Sequence, residues 1–252
     1  MSGAEPEHAE DGSTPLARKS DRWTDLALTL PIFVVYHLGV IFLPVRNAAD
    51  PVTAELRGLA KHSLPAYAAL TLAIGVVFVA VLWTAGRKQA LDPKRFALVG
   101  MEGALYAFLM RFAGGYVVGS LRLAAAAGSA AASAGAAEGG VFPSVVMALG
   151  AGFYEEVAFR VILFGAGAAI LRRLFGLKGV TAFIVTALWG VAEGFAFSAW
   201  HYTGSLGEDP ELSSFVFRAV CGLILTAIFA FRGFAPAVWT HVLYDVWVMI
   251  FE

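Results

Sequence analysis

Residues 64–85 read LPAYAALTLAIGVVFVAVLWTA, twenty-two consecutive positions without a charged side chain. An α-helix rises about 1.5 Å per residue, so about 20 apolar residues cross the hydrocarbon of a bilayer. This run is long enough to cross and carries nothing that would hold it in water. Working outward, residues 26–44 before it and 97–121, 142–171, 180–201, 215–231 and 235–251 after it qualify or nearly do. The predicted fold class is therefore all-α, a polytopic membrane protein of about seven transmembrane helices. Composition agrees, with 59% hydrophobic and 15% charged residues and a mean hydropathy of +0.73. A soluble domain this apolar could not cover its surface with polar groups, so the lipid bilayer is the first partner implied.

A net charge of −1 gives no reason to expect a nucleic-acid partner. The single cysteine, Cys221, cannot form an internal disulfide. Residues 1–25 are polar and read as a disordered tail, and 124–140, almost entirely Ala, Gly and Ser, read as a low-complexity linker. The first apolar run follows Arg18, Lys19 and Arg22 and is longer than a secretory signal core, so it reads as an uncleaved span. The chain then divides into the tail 1–25, the N-terminal spans and linker 26–141, and a core 142–252. With the N-terminus inside, inner segments hold Arg18, Lys19, Arg22, Arg87, Lys88, Lys94, Arg95, Arg172, Arg173, Lys178 and Arg232. Outer segments hold only Arg46, Arg57, Lys61, Arg122 and Arg218. That bias predicts a cytoplasmic N-terminus and an outward-facing acidic loop at 207–211. The Ala- and Gly-rich composition suggests a bacterial source, hence a bacterial inner membrane.

An ionisable side chain near the centre of a membrane helix costs about 2.5–3.5 kcal/mol on insertion scales, so each calls for a partner or a purpose. The fourth span contains Glu155, Glu156 and Arg160. Glu156 and Arg160 are four apart and can pair on one face, whereas Glu155 points about 100° away. Phe197 and His201 close the fifth span, and His241 and Asp245 share a face of the seventh. A lone intramembrane histidine is usually a packing residue, and an acidic pair with an arginine is often structural. Two carboxylates, two histidines and an aspartate in three of the last four spans make a functional polar site the stronger reading. Glu102, Arg111 and Glu193 fit a polar pathway as readily as a supporting shell.

These residues resemble the three-motif pattern of the CPBP family, which comprises CAAX prenyl proteases and bacteriocin-processing or immunity proteins, formerly the Abi family. The pattern is Glu155-Glu156-x-x-x-Arg160, with Phe164 beyond it, then Phe197-x-x-x-His201, then His241-x-x-x-Asp245. The resemblance covers about residues 142–252 and implies a glutamic-type intramembrane endopeptidase. Its substrate would be a membrane-anchored protein or peptide: a CAAX-like terminus, a leader or a C-terminal sorting segment. By the same resemblance Glu155 is the general base, His201 helps position the water, His241 stabilises the oxyanion, and Glu156 with Arg160 braces the site. The family has Asn or Asp at the third motif's end. Asp245 either donates while protonated or orients His241 as an anion.

No His-Glu-x-x-His or Gly-x-Ser-x-Gly motif supports another protease class. No cofactor is expected. Zinc is the alternative, since Glu and His are acceptable ligands, but it ranks lower because their spacing is not compact. A non-catalytic membrane scaffold, an immunity protein or a small-solute transporter are the competing functions. Depth leaves one tension. Glu155 and His241 fall about 18 and 21 Å from the outer side, while His201 falls near the outer surface unless its span is strongly tilted.

Overall fold

The computed structural model describes residues 22–42, 58–59, 62–86, 93–121, 140–203 and 207–251. Of the expected tail 1–25, residues 1–21 lie outside the described residues, whereas 22–25 are helical; positions 124–139 of the expected linker and the loop over 87–92 also lie outside them. The helices are α1 (Arg22–Phe42), α2 (Leu64–Gly86), α3 (Pro93–Ser120), α4 (Val141–Glu155), α5 (Gly167–Leu174), α6 (Gly179–Trp200), α7 (Leu212–Arg232) and α8 (Phe234–Phe251). A π-helical stretch, Glu156–Ala166, joins α4 to α5 without a break. Among the described residues this makes seven rods and no strand. Four are long and apolar enough to cross a membrane, namely Trp23–Val40, Pro93–Ser120, Gly179–Trp200 and Leu212–Arg232. Leu72, Trp83, Met101, Phe183 and Leu188 project outward, as lipid-facing side chains do.

Local chemistry sets the ends of the last two helices. Glu211 caps α7 by accepting the Ser214 backbone N–H at 3.2 Å. Hydrogen bonds from the Ser213 and Ser214 side chains hold its carboxyl below the usual range. Gly233, at φ 108°, separates α7 from α8 with a backbone conformation that other residues adopt poorly. Asp25 on α1 then accepts the Ala235 N–H at 2.9 Å and ties the first helix to the start of the last.

Helix α8 is the hub, packing against α1, α3, α4, the π-helical stretch and α7. Its apolar contacts centre on Phe234, Val238 and Val242 against Ile32, Phe33 and Phe153. The approach to α4 is close because Gly152 has no side chain: a Cβ there would lie 2.9 Å from the Val242 backbone nitrogen. Small residues permit such contacts between membrane helices, where dispersion must hold the bundle together. Here the contact sets residues 155–156 beside residue 241.

Candidate active site

The sequence predicts a regular helix through residues 142–171, whereas the structure widens it to i→i+5 bonding across Glu156–Ala166. Two features permit this. A Cβ at Gly165 would crowd the Arg160 carbonyl oxygen to 3.1 Å, and glycine leaves it room. The Trp189 indole N–H donates to the Leu163 carbonyl at 2.8 Å, giving a backbone group of the widened turns a partner from α6. π-Helical turns occur often at functional sites.

Arg160 is fully buried at the centre of this stretch, and so is Glu156. Its Nε lies 3.3 Å from Glu156 Oε2 and 3.7 Å from Glu193 Oε1. Its Nη2 donates to the Gly222 carbonyl at 3.2 Å, and its guanidinium lies 4.3 Å from the centre of the Phe197 ring. Thr226 on α7 donates its hydroxyl to Glu193 Oε2. One buried cation thus joins the π-helical stretch, α6 and α7. A Cβ on Gly222 would meet Phe197 at 3.0 Å and Gly194 at 3.1 Å, so this packing requires glycine there.

The other oxygen of Glu156 lies 2.8 Å from His241 Nδ1. A carboxylate only accepts, so Nδ1 carries the hydrogen and Nε2 is the working nitrogen. That Nε2 lies 3.7 Å from Glu155 Oε2 and 3.6 Å from Asp245 Oδ2. His241 and Asp245 do share a face, but the imidazole tautomer is set by Glu156 rather than by Asp245. Four carboxyl groups, Glu155, Glu156, Glu193 and Asp245, gather around one guanidinium and one imidazole. Their protons belong to the group as a whole.

His201 caps the far end of α6. Its Nδ1 donates to the Phe197 carbonyl at 3.0 Å, which leaves Nε2 as an acceptor in the neutral ring. The Phe197 ring lies 5.2 Å from the His201 ring and 5.9 Å from that of His241. The depth tension resolves through this shared phenyl group: His201 stands at the end of its helix yet adjoins the buried cluster. The structure therefore brings Glu155, Glu156, Arg160, His241 and Asp245 together directly, and His201 through Phe197.

Glu193, Thr226 and Gly222 were not among the predicted site residues. Glu193 had a legible signal, standing four residues before Phe197 and eight before His201 on one helical face. Glu102 pairs with Arg232 at 2.5 and 3.0 Å, and Arg111 lies over the Phe217 ring at 5.7 Å; both serve helix packing. A further polar cluster lies between α1, α2 and α4. Tyr67 donates to the His37 carbonyl at 3.2 Å and lies 3.0 Å from its Nδ1, while Tyr154 lies 2.6 Å from its Nε2. A groove of about 420 Å³ lined by Arg111, Phe112, Gly115, Tyr116 and Trp247 contains none of the candidate residues. No group of three or more His, Cys, Asp or Glu among the described residues is arranged to hold a metal ion.

Residues 137–247 match the family described as type II CAAX prenyl endopeptidase Rce1-like. No curated protein and no solved structure matches the chain.

Proposed function

We propose, because residues 137–247 match the Rce1-like CAAX protease family, that the chain is a member of that family and an intramembrane endopeptidase using a glutamate-activated water. The observation that supports this most is that Glu155 and Asp245 both come within 3.7 Å of His241 Nε2, inside the bundle, with Glu156 and Arg160 bracing the ring from Nδ1. Peptide hydrolysis needs a base for the water and a donor for the oxygen that becomes negative. Glu155 removes the proton from water as its oxygen attacks the scissile carbonyl. His201 Nε2 accepts a hydrogen bond from that water and orients it. His241, hydrogen-bonded through Nδ1 to Glu156, donates from Nε2 as an imidazolium to the developing oxyanion. When the C–N bond breaks, the protonated Glu155 returns its proton to the leaving amine. The substrate is a membrane-associated peptide or protein, and the chain resides in a bacterial inner membrane.

Asp245 is the informative position. Since Glu156 already holds the His241 ring through Nδ1, an ionised Asp245 is not required to orient it. Asp245→Asn is therefore expected to retain most of the cleavage activity, because an amide can donate where a protonated acid did. A loss comparable to that of Glu155→Gln, at unchanged abundance and melting temperature, would assign Asp245 an essential negative charge.

The proposed orientation puts the N-terminus and residues 87–95 in the cytoplasm. Cys221 is buried, so a cysteine introduced by Lys88→Cys reports with little background. An impermeant maleimide is expected to leave it unlabelled in intact cells and to label it after lysis. Labelling in intact cells overturns the orientation.

A further inference from the structure

Beside His201, at the same end of the bundle, a second arginine has an arrangement that the mechanism does not use. Arg218 on α7 has a side chain only 12% exposed. Its Nη2 donates to Glu208 Oε1 at 2.7 Å, and its Nη1 donates to the Tyr202 hydroxyl at 3.3 Å. The guanidinium also lies 5.6 Å from the centre of the Tyr202 ring. Glu208 is held there by its backbone N–H, which donates to the His201 carbonyl at 2.9 Å. Arg218 stands one helical turn, about 6 Å along α7, before Gly222, whose carbonyl takes the buried Arg160. The planar fork of an arginine suits a carboxylate, and here it lies largely buried next to the loop that follows His201.

We propose that Arg218 and Tyr202 form the subsite for the substrate's C-terminal carboxylate, and that Glu208 is an internal carboxylate occupying it until substrate displaces it. This rests on the hydrolase reading above and deepens it. Glu208 is the more exposed partner, at 28% against 12% for Arg218, so an arriving peptide meets the exchangeable carboxylate first. The exchange trades one carboxylate for another on the same guanidinium, so it costs little.

The test uses the full chain in lipid nanodiscs. The probe is an S-farnesylcysteine tetrapeptide with three aliphatic residues after the cysteine, made as the free acid and as the C-terminal amide. Binding and cleavage are measured together. The wild type is expected to bind the acid about tenfold or more tightly than the amide, as a charge-assisted hydrogen bond implies. Arg218→Gln removes this preference, and Arg218→Lys restores part of it by returning charge without the fork. Glu208→Gln strengthens acid binding and leaves amide binding unchanged, so the preference widens. Should Arg218→Gln unfold, as its melting temperature would reveal, Glu208→Gln carries the test alone. Equal binding of acid and amide by the wild type, no binding of either, or a preference untouched by both variants overturns the subsite. Cleavage without acid preference removes the subsite but leaves the hydrolase. Acid preference without cleavage does the reverse.

Discussion

Glu155→Gln is expected to abolish cleavage of a membrane-anchored substrate while the protein remains inserted and folded. Glutamine keeps the volume of glutamate and one accepting oxygen, so packing against His241 is largely preserved. It cannot take a proton from water at any ordinary pH. A positioned general base contributes about a hundredfold to ten-thousandfold in rate. Glu155 is also the only group proposed to return that proton to the leaving amine, so both halves of the reaction lose their proton carrier. Initial rates measured beside melting temperature separate this from instability. Full activity in Glu155→Gln would end the glutamate-base mechanism and bring the scaffold and transporter readings forward.

Arg160→Ala is expected to fail differently, with abundance falling alongside activity. The arginine serves two buried carboxylates, Glu156 at 3.3 Å and Glu193 at 3.7 Å, as well as the Gly222 carbonyl and the Phe197 ring. Alanine leaves both acids without their shared cation and opens a void beneath Phe197. Losing one partner of a buried pair costs about 3–5 kcal/mol, which is a large share of a domain's total stability. Arg160→Lys rescues little, because an ammonium lacks the broad planar fork that reaches Glu156, Glu193 and the Gly222 carbonyl at once and lies over Phe197. The readouts are detergent-solubilised yield and thermal unfolding. A wild-type melting temperature in Arg160→Ala would show that the acids hold no charge needing compensation.

Hydropathy alone was enough to read the helices, because an uncharged run such as 64–85 buries its backbone polar groups best as a helix, although only four helices among the described residues are long and apolar enough to cross a membrane. The local pairs were legible as well: Glu156 with Arg160, and His241 with Asp245, follow from helical spacing within one rod. Contacts between rods were not. Which acid fixes the His241 tautomer depends on how deeply α4 and α8 nest at Gly152, and no periodicity encodes that depth. The π-helical register of Glu156–Ala166 was equally hidden, since it relies on Trp189 reaching across from α6. Glu193 lay in plain view on the face of Phe197 and His201. Its tie to Arg160 and Thr226 appears only once α6 and α7 are packed. The His37–Tyr67–Tyr154 cluster draws on three helices far apart in sequence, and single-residue hydropathy gave no hint that they meet.

The most direct measurement is an inventory of membrane-protein termini by mass spectrometry, in native membranes carrying either the wild-type chain or Glu155→Gln at equal abundance. The account predicts at least one membrane-anchored protein that is shortened with the wild type and accumulates at full length with the glutamine variant. Identical inventories from the two membranes would contradict it.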